Sequence, residues 1–443
     1  MPDLLAGAAI ADITPTVGVQ LDGYGARAQP SQGVHDELVA RVLVFEQGDQ
    51  TAVIVSCDLL GVHPWVASEV RARAAAAAGV RQDGVLVAAT HNHAGPVGLR
   101  AGMLAQLDES LAETLVGQVC GAIEEAWQAR RPALIKHAST TVDTISLNRR
   151  DPQWPKDARL HVVSVDGEDG PVATVLNFAC HATVLNATNL MLSGEFPGAA
   201  CRLIQRETGA PCLYLNGACG DVNPVWIAQD FAGVERAGQI IGAQALRLVA
   251  EMRALGPGQR SHNIRWDEFP EVSPLGRLIT PSLRAVRGEI TLPRREFDSD
   301  DAYAARIEET GAAAEAAEPG SPERRAVTAS LTRFKVERWA AAWTQHAPEL
   351  TPTEVQAIRL GDGLALLGLP GEFFGETAAA IREAAPFADV LMACYANDYV
   401  GYVVPEHAYE EGGYEAGMTP HAPEADAMIR DAARRLLTEL SAG

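Results

Sequence analysis

Short, almost continuous apolar runs that stop at glycine- or proline-marked turns punctuate the chain. ARVLVFEQGDQTAVIVSCDLL reads as two strands about a Gly-Asp turn, and VLVAATHNH as a further strand. ARLHVVSV, PVATVLNFACHATV and PCLYLNGACGD repeat the pattern in the middle of the chain. VQAIRLGDGLALLGLPGEF and ADVLMACYANDYVGYVVP repeat it near the end. Between these runs the apolar period changes to that of a helix. Residues 65–79 are rich in Ala and end at Gly79, a helix-terminating residue. Residues 108–129 carry apolar side chains at helical spacing, with Asp108 or Ser110 as N-cap. GEFPGAACRLIQRETG, AGVERAGQIIGAQALRLVAEM and the stretch from about Pro423 to Leu440 are further helices. Alternation of this kind predicts an α/β fold, with layered mixed β-sheets flanked by helices. Residues 296–348, rich in Ala, Glu and Arg and broken at EPGSPE, read as a peripheral hairpin of two helices with solvated charged faces. No low-complexity linker or internal repeat divides the chain, so residues 1–443 read as one continuous domain.

Composition narrows the partners. With 443 residues, 47% of them hydrophobic, the chain can bury a large core. A formal net charge of −21 repels phosphate backbones and anionic lipid, so nucleic acid is excluded as the main partner. The longest apolar runs fall short of a bilayer span, and the N-terminus lacks the basic-then-apolar pattern of a secretory signal. A soluble cytoplasmic protein acting on a small molecule is the expectation, with a homo-oligomer compatible. The seven cysteines are scattered, with no CxxC pair, and read as reduced and buried.

The chemistry sits where the apolar runs end. In VLVAATHNHAGP a valine-rich run stops at His91 and His93, which would share one face if the strand continued through them. Two neutral imidazoles on one face can hold a metal, and they can equally be loop histidines that donate hydrogen bonds. FACHAT places His181 in or just after a strand, LNGACGDVNP ends in Asp221 and Asn223, LPGEFF carries Glu372, and ANDYVGY carries Asp398, Tyr399 and Tyr402. Such ends can converge on one cleft of a layered α/β protein. Two or three His with one Glu form a zinc-type donor set that leaves a position open for water.

These motifs, with ADITP…LDGYGAR and SLNRRDP, occur in the order found in the catalytic domain of the neutral/alkaline ceramidase family, which the chain resembles from about residue 6 to 415. The resemblance implies a hydrolase with one zinc per chain, held by His91, His181, Glu372 and Tyr402. His93 would lie beside the metal or against the reacting carbonyl, and Arg149 would face substrate. Tyr399, three residues from Tyr402, competes with it as ligand and otherwise contacts substrate. Two features depart from the family. NRSP becomes NRRD, with Arg150 in place of Ser, and the serine of GDVSPN, used in amide cleavage, becomes Asn223, which cannot act as a nucleophile. Metal-activated water would then attack, with His93, Asp221 or Asp398 as general base and Asn223 holding a polar group. Neither the family's immunoglobulin-like domain nor its export signal is seen. The expected activity is therefore zinc-dependent hydrolysis of an amide or related bond in a small soluble molecule. The alternatives are an ester or glycosidic hydrolase assisted by Glu195, Asp221 or Asp398, and a non-catalytic binding protein on the same fold.

Overall fold

The computed structural model describes residues 4–100, 106–226, 228–254, 276–344 and 349–442. Two sheets stack face to face between outer helices. The first has the order Cys212–Asn216, Gly170–Phe178, Arg159–Gly167, Arg131–Thr141, Leu5–Asp12, Val39–Gln47, Gln50–Cys57 and Val85–Ala89, with Gly276–Ile279 added beside Arg131–Thr141. It is mixed: the pairs at its two ends are parallel and the pairs between are antiparallel. The second sheet runs Pro281–Pro293, Leu350–Gly361, Leu364–Gly368 and Asp389–Ala393, the last pair parallel. This is the expected class, layered mixed sheets flanked by helices.

The near-continuous apolar runs are explained by burial on both faces. Along Val39–Gln47, Leu43 and Phe45 point into the layer between the sheets, where they meet Leu360, Leu366 and Leu391 of the second sheet. Val42 and Val44 alternate with them and point to the other face, toward Val116, Val119 and Ile123 of the helix Glu109–Gln128. The helices Glu195–Thr208 and Phe231–Ala254 cover the sheet's far half, and Ala425–Ala442 backs the second sheet. Asp108 supplies the N-cap of Glu109–Gln128 by accepting from the Leu111 amide, and Gly79 closes Pro64–Ala78 at φ +67°. The hairpin reading resolves into the helices Asp300–Ala316 and Pro322–Thr344, which pack on each other; its last residues, 345–348, lie outside the described residues. All seven cysteines are buried and unpaired.

The first sheet curls so that its two edges approach. The Ser56 hydroxyl donates to the Tyr214 carbonyl at 2.6 Å, and Asn216 Nδ2 donates to the carbonyls of Thr90 and Cys180, each at 3.0 Å. Asn177 Nδ2 donates to Leu215 O and Met392 O, while its Oδ1 accepts from the Met392 amide, tying the first sheet to the second. Asn397 does the same from the other side, exchanging two hydrogen bonds with the Val87 backbone. Buried asparagines thus satisfy the backbone where parallel strands of both sheets end together. Asp58, just past the strand Gln50–Cys57, is fully buried and accepts from Arg41 Nη1 at 2.8 Å. Removing one partner would leave a buried charge alone. Asp58→Ala should therefore cost about 3–5 kcal/mol, measured by urea unfolding; a loss below about 1 kcal/mol would show that the pair is dispensable.

Candidate metal centre

Four of the expected strand ends meet at one buried point. His91 follows the strand Val85–Ala89, His181 follows Gly170–Phe178, Glu372 follows Leu364–Gly368, and Tyr399 follows Asp389–Ala393. The strand does not continue through His91, as a shared-face reading requires. It ends at Ala89, and His91 adopts φ +61°. Tyr395 and Asn397 are also left-handed, at φ +58° and +64°. Such backbone costs about 1–3 kcal/mol per residue and persists only where packing enforces it. At His91 it turns the imidazole inward.

His91 Nδ1 faces the Leu60 carbonyl at 2.9 Å and His181 Nδ1 the Val222 carbonyl at 3.1 Å. A carbonyl only accepts, so each Nδ1 carries a proton, and each Nε2 is turned toward a carboxylate. Glu372 Oε2 lies 3.1 Å from His181 Nε2 and 3.5 Å from His91 Nε2. His93 Nε2 stands 3.3 Å from His91 Nε2, and the three imidazoles form a compact group. Donors about 2.0–2.2 Å from a tetrahedral cation would be separated by about 3.3–3.6 Å. The set fits a divalent cation, which would take the place of the proton on His181 Nε2: burial opposes that proton, but Cys219 and the bond to Glu372 outweigh it and raise His181 to about 9. Burial pushes His91 down to about 3, so it stays neutral. Burial works to raise the Glu372 carboxyl, but His91 and His181 outweigh it and hold it well below the carboxylate range.

The tyrosines divide the work differently from the expectation. The Tyr399 hydroxyl donates to Glu372 Oε1, leaving Oε2 for the imidazoles. Burial, reinforced by Glu372, pushes that hydroxyl well above its ordinary value, so it stays a donor. Tyr399 is therefore committed to Glu372, and the reading of it as a substrate contact is corrected. The Tyr402 hydroxyl accepts from Arg149 Nη2 at 2.9 Å and faces a cleft of about 720 Å³ together with His93, His181, Arg149 and Asn223. Arg149 also binds Glu415 at 2.5 Å and Asn223 Oδ1 at 3.3 Å. The ring of His93 packs on Gly23, where a Cβ would come within 2.3 Å of Nδ1, and leans on Tyr24. Its Nδ1 is buried without a hydrogen-bond partner.

Three expected carboxylates lie elsewhere. Both oxygens of Asp221 are taken, by the Gly375 amide and Asn148 Nδ2, and its carbonyl accepts from the Arg149 amide. It fixes the turn that carries Arg149 and lines a neighbouring cavity rather than the cleft. Asp398 accepts from Thr353 Oγ1 and from the Tyr399 amide. Glu195, at φ +56°, accepts from the amides of Leu185 and Phe196. Each is occupied in holding backbone or a neighbouring strand, which removes it as general base or leaving-group acid and leaves His93 in the cleft. The glycosidic alternative loses its carboxylates. Glu415, Tyr414, Tyr24 and Trp226, which line the cleft, were not singled out from sequence; the GGYE run around Gly412 and Gly413 was the available signal. A second imidazole group, His137, His161 and Asp389, has its carboxylate engaged by Arg277 at 2.8 Å, which disfavours a cation there.

A family model described as neutral/alkaline non-lysosomal ceramidase, N-terminal, matches residues 4–217. The chain is similar to the neutral ceramidase of Mycobacterium tuberculosis, 27% identical over 485 residues that span 94% of this chain and 74% of that protein. To the neutral ceramidase of Pseudomonas aeruginosa it is 25% identical over 471 residues, spanning 93% and 68%. The crystal structure of the Pseudomonas aeruginosa neutral ceramidase superposes with a TM-score of 0.78 at 20% identity, covering 99% of this chain and 75% of that one. A structure of a ceramidase complexed with C2 superposes at 0.75 with 19% identity, covering 100% and 76%.

Two outcomes are expected. Zinc at about a hundred times its dissociation constant should stabilise the wild type by about 2.7 kcal/mol; His181→Ala should show no such gain, and Tyr399→Phe should bind zinc about 10–100-fold more weakly. Calorimetric titration checks both, and equal affinity in all three would dissolve the centre. Separately, burial raises Asp398 to about 6, above its unfolded value. Its contribution to stability is therefore full below about pH 4 and is lost as pH rises through about 6, by roughly 2–3 kcal/mol. Asp398→Asn, which still accepts from the Tyr399 amide and can donate to Thr353 Oγ1 in place of accepting from it, should flatten that slope in denaturation series across pH 4–7.

Proposed function

We propose that this chain, which the neutral/alkaline ceramidase family model matches over residues 4–217, is a member of that family and a metal-dependent hydrolase cleaving the amide bond of an N-acyl lipid of the ceramide kind. The relatives are named for ceramide, and the reading follows them in place of the small soluble molecule expected from sequence. Among the described residues no helix is long and apolar enough to cross a membrane. The observation that carries the proposal is the convergence of the His91 and His181 Nε2 atoms on Glu372 Oε2 at the edge of a cleft lined by Arg149.

His91, His181 and Glu372 would hold the ion, with His93 or Tyr402 completing the set, and zinc suits this mixture of nitrogen and oxygen donors. When bound, the ion supplies Lewis-acid polarisation of the amide and lowers the pKa of water. The chain's own groups supply the rest. Arg149 stays charged: burial opposes its charge, while Tyr402 and Glu415 favour it more strongly. It presents a fixed donor beside the Tyr402 hydroxyl and Asn223, suited to the polar groups that flank the scissile bond. His93 stays neutral because burial pushes its imidazole well down, and it is the cleft's candidate to take and return a proton. Asn223 orients and does not react.

Zinc-loaded protein should release fatty acid from an N-acylsphingosine, followed by chromatography of the products. Glu372→Gln should lose at least about a thousandfold in kcat. Asn223→Ala should lose only about tenfold in kcat/KM, the worth of one orienting hydrogen bond at about 1.4 kcal/mol. Absence of turnover on any N-acyl amide with zinc bound would sink the reading.

A further inference from the structure

Arg150, where the chain departs from NRSP, stands between two cavities. The metal cleft, of about 720 Å³, and a second cavity of about 760 Å³ share Arg150, Trp154 and Glu411 in their walls. The second cavity has an apolar side formed by Phe374, Phe387, Ala379 and Val390, and Trp154 stands 42% exposed at its edge. The Arg150 guanidinium lies 5.1 Å from the Phe374 ring and 5.7 Å from the Trp154 ring. Its Nη2 donates to Glu411 at 2.8 Å and its Nη1 sits 3.5 Å from Glu415. The side chain is only 8% exposed, yet its Nε and Nη1 are buried without a hydrogen bond. A guanidinium stacked on aromatic faces and pinned at one end is a rigid wall. Its open donors make that wall polar, and an alkyl chain gains nothing by lying against it.

We propose that Arg150 is a specificity-determining partition, which confines the substrate's chain to the metal cleft and keeps a long aliphatic chain off the apolar side of the cavity beyond, whose opposite side carries Lys156, Asp157, Arg159 and Glu383. Removing the side chain would join the two spaces behind Arg149 and expose Phe374 and Phe387 to the cleft. Arg150 makes no hydrogen bond to the His91–His181–Glu372 group or to Arg149, and Glu415 keeps its closer bond to Arg149 at 2.5 Å when the 3.5 Å contact to Arg150 is lost, so short substrates should be turned over as before. The inference rests on the amide-hydrolase reading for its kinetic arm alone.

The test compares wild type, Arg150→Ala, Arg150→Met and Glu411→Ala over N-acylsphingosines of increasing acyl length and over sphingoid bases of increasing length at fixed acyl group. In one of the two series Arg150→Ala should gain at least tenfold in kcat/KM for the longest members with the shortest unchanged. Arg150→Met, which keeps the reach of the side chain, should stay near wild type, and Glu411→Ala, which only unpins it, should fall between. A binding arm needs no turnover: the fluorescent fatty acid cis-parinaric acid should bind Arg150→Ala at least tenfold more tightly than wild type. Superimposable length profiles together with equal probe affinity in folded Arg150→Ala would overturn the partition. If the wild type hydrolyses no amide, the reading of function fails, and the probe alone still decides the partition.

Discussion

Buried donor atoms crowded around one carboxylate are the constraint around which this molecule is arranged. The Nε2 atoms of His91 and His181 lie 3.5 and 3.1 Å from Glu372 Oε2. Without a metal ion only the proton that His181 shares with Glu372 holds the group together, and burial removes the water that would screen it. Its geometry must therefore be imposed from outside. Two backbone carbonyls fix the tautomers, the Tyr399 hydroxyl fixes the carboxylate, and left-handed backbone at His91, Tyr395 and Asn397 sets the approach. Each support comes from a different strand end, so the centre exists only when both sheets are in register. The Tyr395 ring, stacked on His91 at 3.9 Å between centroids, and Asn177, bonded to both sheets, link that register to the site.

The architecture follows from the same need. The C-terminal ends of the parallel pairs at the two ends of the first sheet, and of the one in the second, meet: Asn216 Nδ2 donates to Thr90 and Cys180, and the Cys394 amide donates to the Asn216 carbonyl. Antiparallel pairs fill the first sheet between them. Loops leaving parallel strands diverge less than hairpin turns, and here they are held together by asparagine side chains that replace the missing ladder bonds.

Much of this was legible in the chain. Apolar runs buried on both faces, helix periods and the caps at Asp108 and Gly79 are local signals, and they give the layers directly. His91, His181 and Glu372 stood out because polar residues ended apolar runs in a motif order that resembles a known family. What could not be read was direction. Asp221, Asp398 and Glu195 also end or flank apolar runs, and only the fold shows that backbone amides, a threonine and an asparagine consume their oxygens. Tyr399 and Tyr402 are three residues apart, and the bend between them sends one hydroxyl to Glu372 and the other to Arg149. Glu415 was invisible for the opposite reason: it lies in a charged, glycine-rich stretch whose composition reads as surface, and in the fold it is buried against Arg149 and Arg150.

That pairing changes what the cleft can recognise. An unpaired Arg149 would make the pocket a receptor for anions, and the replacement of the family's serine by Asn223 would then suggest a switch to a charged substrate. Glu415 at 2.5 Å cancels the charge in place, while the remaining guanidinium N–H groups stay fixed on Tyr402 and Asn223. A buried, neutralised ion pair acts on a ligand as an oriented dipole, strong for hydroxyl and amide groups and weak for a net charge. The overall charge of −21 lies outside this balance and adds only a long-range bias against anions. Asn223 extends the same logic, since it brings a neutral donor and acceptor where a hydroxyl would bring one oxygen. On the proposed reading such a dipole suits an uncharged polar linkage, and the chemistry comes from the donor cluster beside it.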